Sequence, residues 1–346
     1  MKAVRKTSPE PGVRIEQVNA PRTLGPNDVL VEVAAAGICG SDVHVYEWTS
    51  GYDFMRDKLP LTLGHEFAGR VIERGAAVTT IDVGARVTVW PSSGCGNCAP
   101  CRRGEPENCL QKSTLGLMRD GGFARHVVVP EKACFSLPDG LDLDLAALTE
   151  PLCVGAQAVD VGQVRFGDTV VVLGPGTIGQ AIAQFARKAG AAKVIMVGFN
   201  DGPRLAVCEA LGFGHRIDLA EQELAATVSA IAGGPVDCVF EATGVAASIR
   251  DGLGLLRKGG VLVTTGIHAR PVEVDLTDFV RRKLQLRGSH GSRPAIWEKV
   301  LRVLGESGES FRPMITHRLP LDEAVEGFEL ARRKEASKVM LMPQDD

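Results

Sequence analysis

Four cysteines, Cys95, Cys98, Cys101 and Cys109, follow one another with the spacing C-x2-C-x2-C-x7-C. Thiolates this close together can enclose a single zinc ion in a tetrahedron of sulfur. A closed set leaves no position for a reacting molecule, so this metal is expected to hold a loop, about residues 90–112, in shape rather than to do chemistry. Other residues able to bind metal or move protons gather in three further fragments. These are Gly37-Ile38-Cys39-Gly40-Ser41-Asp42-Val43-His44, Leu63-Gly64-His65-Glu66 and Thr149-Glu150-Pro151-Leu152. Each is weak alone, since a lone buried cysteine is ordinarily core and a lone His-Glu pair is ordinarily surface or turn.

A fifth fragment is chemical through its backbone. Gly174-Pro175-Gly176-Thr177-Ile178-Gly179 follows the apolar run Thr169–Leu173 and opens a helical stripe of Ile178, Ala181, Ile182, Phe185, Ala186 and Ala189. Between a strand and a helix, G-x-G-x-x-G is a dinucleotide fingerprint. The first glycine allows the tight turn, the second lets the backbone approach a pyrophosphate, and the third lets helix and strand pack closely. The next strand ends at Gly198-Phe199-Asn200-Asp201. Gly198 stands where an acid would bind the ribose hydroxyls of NAD, which removes a barrier to NADP. Arg204 is the base nearest to a 2′-phosphate and Asp201 would oppose one, so the balance leans slightly to NAD.

The elements that must position these residues fall into two kinds. Residues 1–155 contain short strand candidates broken by Gly and Pro, among them Val29–Ala34, Phe67–Ile72 and Arg125–Pro130. From 156 to 292, strands at Thr169–Leu173, Lys193–Val197, Val236–Glu241 and Gly260–Thr265 alternate with helical patterns. This alternation predicts an α/β doubly wound parallel sheet. The last fifty residues return to mixed character, with an amphipathic helix after Pro294 and a final strand at Lys338–Met342.

The chain has 346 residues, enough for two or three domain units. Its net charge of −3, without a basic block, argues against nucleic acid as a partner. No apolar run is long enough to span a bilayer, and Met1–Gly12 has no apolar core of the secretory kind. Nine cysteines, an odd number, favour reduced thiols and metal ligands over a disulfide framework, and a cytoplasmic location follows as the default.

Taken together and in this order, the fragments resemble the zinc-dependent medium-chain alcohol and polyol dehydrogenases over essentially the whole chain. The resemblance implies a GroES-like β-rich catalytic domain, residues 1–155 and 293–346, split around a Rossmann coenzyme domain, residues 156–292. It implies two zinc ions per chain, NAD or NADP, a small-molecule alcohol or ketone substrate, and a homo-oligomer, dimer or tetramer. Cys39 and His65 are the implied ligands of the catalytic zinc, with Glu66 and Glu150 competing for the third place. Asp42 fits the role of fixing the His65 ring, Ser41 that of a hydroxyl relay, and His44 that of passing the proton to solvent. Besides the glycine-rich loop, Gly198, Asn200, Asp201, Arg204, Thr243, Gly266 and Ile267 are the implied cofactor contacts.

The substrate is divided between two branches of the resemblance. Glu150-Pro151-Leu152 and Arg287-Gly288-Ser289 look like sorbitol-type polyol dehydrogenases. His44-Val45-Tyr46-Glu47-Trp48 resembles the His-x-Tyr-x-Trp stretch of L-threonine 3-dehydrogenases, and Trp297 looks like theirs too. The chain departs from both at Trp90-Pro91-Ser92-Ser93. Tyr46, Trp48, Phe54 and Trp90 are expected either to wall a partly aromatic pocket or to be core. A secondary alcohol of polyol or sugar-like type is the leading expectation, with an amino alcohol of threonine type second. A non-catalytic zinc-binding interaction module is the alternative of another class.

Overall fold

Strand Asp28–Gly37 carries valine or alanine at most positions and is buried along nearly its whole length. In the computed structural model, which describes residues 1–343, it lies at the centre of a seven-stranded sheet. The last three residues of the segment 293–346 lie outside the described residues. Across the sheet the order is Ile315–Pro320, Lys338–Met342, Asp28–Gly37, Glu66–Arg74, Arg86–Val89 and Cys134–Ser136, with His126–Pro130 also paired to Asp28–Gly37. Val31, Val33, Phe67, Val71, Val87, Phe123 and Phe328 fill the core beneath it. This unit comprises Met1–Glu150 together with the chain from Arg293 onward.

The register of that sheet assembles distant residues. Gly37 lies opposite Glu66 on one side and Met340 on the other. Cys39, just past the end of the first strand, is thereby carried to His65 and Glu66 at the start of the second, and to Lys338 at the start of the third. Gly37 is required there. A Cβ at this position would sit 2.4 Å from Glu66 Oε2 and 3.2 Å from Lys338 Cδ.

The second unit, Pro151–Ser292, is a doubly wound parallel sheet. Its strand order is His215–Asp218, Lys193–Gly198, Thr169–Leu173, Val236–Glu241, Leu256–Thr264 and Gln285–Gly288. The inner strands are apolar because helices cover both faces of such a sheet. The chain winds outward from Thr169–Leu173 in one direction, then crosses back to continue from Val236–Glu241 in the other. Ligands of open α/β sheets bind outside the carboxyl ends of the strands at such a reversal. Among the described residues no helix is long and apolar enough to cross a membrane.

Candidate metal and dinucleotide sites

Cys39 precedes helix Gly40–Glu47, whose first turn presents Asp42. The Cys39 amide donates to Asp42 Oδ2 at 3.0 Å, and the other oxygen, Oδ1, faces His65 Nδ1 at 3.5 Å. Asp42 is fully buried, so one carboxylate ties the backbone of the cysteine to the ring of the histidine. Cys39, His65 and Glu66 offer ligand atoms within 4.8 Å of one another. Burial pushes the His65 imidazole down, but the Asp42 and Cys39 charges beside it outweigh this and hold it well above its ordinary value. Ser41 Oγ lies 3.3 Å from His65 Nε2.

The donor set fits a cation. Glu66 Oε1 is a buried atom without a hydrogen-bond partner, and such atoms are rare unless something satisfies them. His65 Nδ1 is turned to Asp42, which leaves Nε2 as the ligand atom of the ring. A thiol, an imidazole and a carboxylate are the donors zinc takes in open sites. Replacing Asp42 with Ala is expected to lower zinc affinity or kcat/KM by about 10–100-fold, the usual cost of losing a partner that orients a metal-binding histidine. Metal analysis and steady-state kinetics on the folded variant check this; wild-type values in both would remove Asp42 from the site.

Glu150 stands at the start of helix Thr149–Gly162 and lies outside the tight donor set. Burial pushes its carboxyl up to about 7, and His65 and Glu66 are close enough to act on it, in opposite senses. Lys338 was not foreseen. Its ammonium donates to Glu66 Oε2 at 2.5 Å and to the Ile38 carbonyl at 2.8 Å, with both side chains of the ion pair only 1% exposed. It holds one oxygen of Glu66 and leaves the other bare. A lysine opening the otherwise apolar strand Lys338–Met342 was its only sequence signal. Tyr52 was also missed. It stacks on His44 at 6.0 Å, and burial, then the Cys39 and Asp42 charges, push its hydroxyl up to about 12.

Tyr46 and Trp48 pack against the core of this unit. Tyr46 stacks on Phe328 at 5.1 Å and donates to Glu329 at 2.9 Å, while Trp48 lies beneath the Lys6 ammonium. Trp90 is buried and Phe54 is exposed. Two of the features that divided the substrate branches also have local structural partners. Arg287 binds the Val161 carbonyl at 2.5 Å, and Trp297 is fully buried against Phe135.

The four-cysteine lobe is held by its own backbone. The amides of Asn97 and Cys98 donate to Cys95 Sγ at 3.4 Å, and those of Cys95 and Gln111 to Cys109 Sγ at 3.2 and 3.3 Å. Cys98 and Cys109 sulfurs are 3.8 Å apart, which is the edge of a tetrahedron with metal–sulfur bonds of about 2.3 Å. Backbone amides of Cys101 and Leu110 bring the Cys98 thiol down to about 6, while burial pushes Cys101 up to about 11. Four neighbouring thiols cannot all ionise without a cation between them, so this set also fits zinc.

In the second unit Gly174 turns the chain at φ 107°, and Gly176 caps helix Thr177–Lys188. At Gly179 a Cβ would meet the Gly174 carbonyl oxygen at 1.8 Å, so no other residue fits. A helix start behind such a glycine-rich turn is a site for a pyrophosphate. At Gly198 a side chain would collide with Asp201 and Pro175, at 2.9 and 3.1 Å. Asp201 is 2% exposed and grips the Arg204 guanidinium through two hydrogen bonds. Asn200, with left-handed backbone, and Asp201 both donate their amides to Asp218. Thr243, Gly266 and Ile267 follow the next two strands, at the same carboxyl edge of the sheet.

Comparison with known proteins agrees with this architecture. The Alcohol dehydrogenase GroES-like domain family matches residues 25–139, and the Zinc-binding dehydrogenase family matches residues 177–306. The chain is 34% identical to sorbitol dehydrogenase of Halalkalibacterium halodurans over all of both chains. It is 35% identical to L-threonine 3-dehydrogenase of Bacillus licheniformis over 99% of each. A crystal structure of a zinc-binding dehydrogenase from Sinorhizobium meliloti, bound to NADP, superposes with a TM-score of 0.89 at 34% identity over 99% of each chain. The chain belongs to the zinc-dependent medium-chain dehydrogenase family and is an oxidoreductase that interconverts a secondary alcohol and its ketone with NAD(P).

Proposed function

We propose that the substrate is a polyol or sugar-like secondary alcohol and that the chain works with two zinc ions, one in each donor set. The observation carrying this reading is the separation of four like sulfurs from three unlike donors, Cys39, His65 and Glu66. The first set suits a brace, and the second can keep a position open for substrate. Zinc in the open set supplies Lewis-acid polarisation of the substrate oxygen and a lowered hydroxyl pKa, and the dinucleotide supplies a hydride acceptor. Glu66 is the third donor, with Lys338 fixing its far oxygen, and Glu150 acts from just outside the set. Asp42 holds the His65 ring. Ser41, beside His65 Nε2, takes the proton released from the substrate. His44 lies three residues further along the same helix face, with Nδ1 3.3 Å from the Thr49 hydroxyl, and passes the proton on. Imidazole suits that step because it exchanges protons readily near neutral pH.

For the cofactor we propose NAD, with NADP also used. The Asp201 carboxylate is neutralised by Arg204, so it opposes a 2′-phosphate only weakly. The kcat/KM preference for NAD is expected to stay within about tenfold, about 1.4 kcal/mol. The chain is further proposed to be a cytoplasmic dimer or tetramer. Oxidation of L-threonine is the second reading, favoured by the His44-Val45-Tyr46-Glu47-Trp48 run and by the B. licheniformis relative. A turnover screen of polyols, aldoses, L-threonine and simple secondary alcohols with both cofactors tests all of this. Turnover of polyols above the rest is the expected result. Preference for L-threonine would replace the first reading with the second, and a strong NADP preference would overturn the cofactor assignment.

A further inference from the structure

Glu241 ends strand Val236–Glu241 and is completely buried. Its Oε1 accepts from the Thr243 amide at 2.6 Å, the Thr243 hydroxyl at 2.5 Å and the Gly244 amide at 2.8 Å. Its Oε2 accepts from the Thr264 hydroxyl at 3.3 Å and lies 3.0 Å from His268 Nε2. A carboxylate is an acceptor only, so His268 must donate its Nε2–H to it, and in the neutral ring Nδ1 is then a bare acceptor. That Nδ1 is buried and has no hydrogen-bond partner. The histidine is therefore held in one orientation by a dedicated anion, with its second nitrogen waiting for a donor.

The place of this pair indicates the donor. Glu241 and His268 sit at the carboxyl edge of the sheet, after the neighbouring parallel strands Val236–Glu241 and Leu256–Thr264. The glycine-rich turn adjoins them, since a Cβ on Gly174 would meet the Ala242 oxygen at 2.9 Å and Thr243 Cγ2 at 3.0 Å. Across a doubly wound sheet the pyrophosphate lies at that turn, and the two nucleosides extend to either side of the reversal. The adenosine side is Lys193–Gly198, which leaves the nicotinamide nucleoside over Val236–Glu241 and Leu256–Thr264. A bare imidazole nitrogen there cannot receive a phosphate oxygen. It needs a hydroxyl or an amide N–H, and the nicotinamide nucleoside carries both.

We propose that His268, oriented by Glu241, binds the nicotinamide half of the dinucleotide, with Nδ1 accepting a hydrogen bond from a ribose hydroxyl or from the carboxamide. This rests on the reading that the second unit binds NAD(P). Two variants separate the two nitrogens. His268→Gln keeps a donor that reaches Glu241 but loses the Nδ1 acceptor, whereas His268→Asn keeps an acceptor near the Nδ1 position and gives up the Glu241 contact. Calorimetry on the whole protein would measure Kd for NADH (or NADPH where it binds more tightly), ADP-ribose and ADP.

The Gln variant is expected to bind NADH about tenfold more weakly, the scale of one lost hydrogen bond, while ADP stays within about twofold. The Asn variant is expected to fall between Gln and wild type. A loss for ADP-ribose equal to that for NADH identifies a ribose hydroxyl as the donor, and an unchanged ADP-ribose affinity identifies the carboxamide. NADH binding by the Gln variant within about twofold of wild type would overturn the proposal, because a histidine that merely braces Glu241, or meets only water at Nδ1, is replaced by Gln without loss. An equal weakening of ADP and NADH would also overturn it, as a general disturbance of the unit. Failure of the wild-type protein to bind any of the three would instead sink the dinucleotide reading on which it rests.

Discussion

Cys39→Ala is expected to lower kcat/KM by at least about a thousandfold and to remove about one zinc ion per chain, while the fold persists. A Lewis acid at the reacting oxygen stabilises the transition state by several kcal/mol, and each 1.36 kcal/mol is a factor of ten. The variant leaves His65 and Glu66 as the remaining donors of the tight set, one fewer than open zinc sites ordinarily use. Two further consequences are local. The Asp42 carboxylate loses the thiolate that shared its surroundings, but it keeps the backbone amide of residue 39. Lys338 keeps its ion pair with Glu66 and its bond to the Ile38 carbonyl, so the strands that meet at Gly37 remain joined. Metal analysis beside steady-state kinetics checks both halves of the expectation. Wild-type turnover, or an unchanged zinc content, would remove Cys39 from the metal.

The second large effect lies in the other donor set and is of a different kind. Cys98→Ser is expected to lower the thermal midpoint by about 10 °C, with loss of the second zinc ion, because the binding free energy of a structural metal is folding free energy. Turnover per correctly folded, assembled chain should survive. The lobe should also be acid-sensitive. The Cys98 thiol sits at about 6, below its ordinary value, because backbone amides favour the thiolate. A group with a depressed native pKa contributes above its ordinary pKa, and that contribution fades as pH falls through the native value. Protons compete with the metal for all four thiols, so zinc release to a chromogenic chelator should rise as pH falls. A Cys98→Ser protein with wild-type melting and zinc content would refute the brace, and loss of turnover in a fully assembled variant would move the lobe into the chemistry.

Much of this was legible in the amino-acid sequence, for identifiable reasons. Thr169–Leu173, Val236–Glu241 and Lys338–Met342 have the same bounds in the sequence reading and in the structure, because buried strands are predominantly apolar even where an Asp, Glu or Lys interrupts or bounds them. His215–Asp218 and Gln285–Gly288 were not seen. They are short, polar outer strands of the parallel sheet, and their pairing is decided by the neighbour rather than by their own composition. The metal-binding residue types announced themselves through local spacing. Lys338 and the pair Glu241–His268 did not, since each depends on strand register that brings together residues far apart in the chain. Tyr52 was hidden in the same way, by a loop that folds back over His44. At Gly198 the sequence shows that the acid is absent, and the structure adds why the position is small: the side-chain space is filled by Asp201, which turns inward to hold Arg204.

The two donor sets also differ in how soon they can exist on a growing chain. The ends of the sulfur set, Cys95 and Cys109, are separated by 14 positions, a loop whose closure is entropically cheap. It can capture its ion while most of the second unit is still unmade. Glu66 must wait for a lysine 272 positions further on, which arrives only with the last strand of the sheet. Until then its carboxylate has no counter-charge, and the strand that confines Gly37 from the other side is absent. On the two-zinc reading the sulfur set is complete early in synthesis, whereas the open set gains the ammonium that holds Glu66 only with the last strand. A chain truncated before Lys338 is therefore expected to bind the metal of Cys39, His65 and Glu66 more weakly than that of the four cysteines.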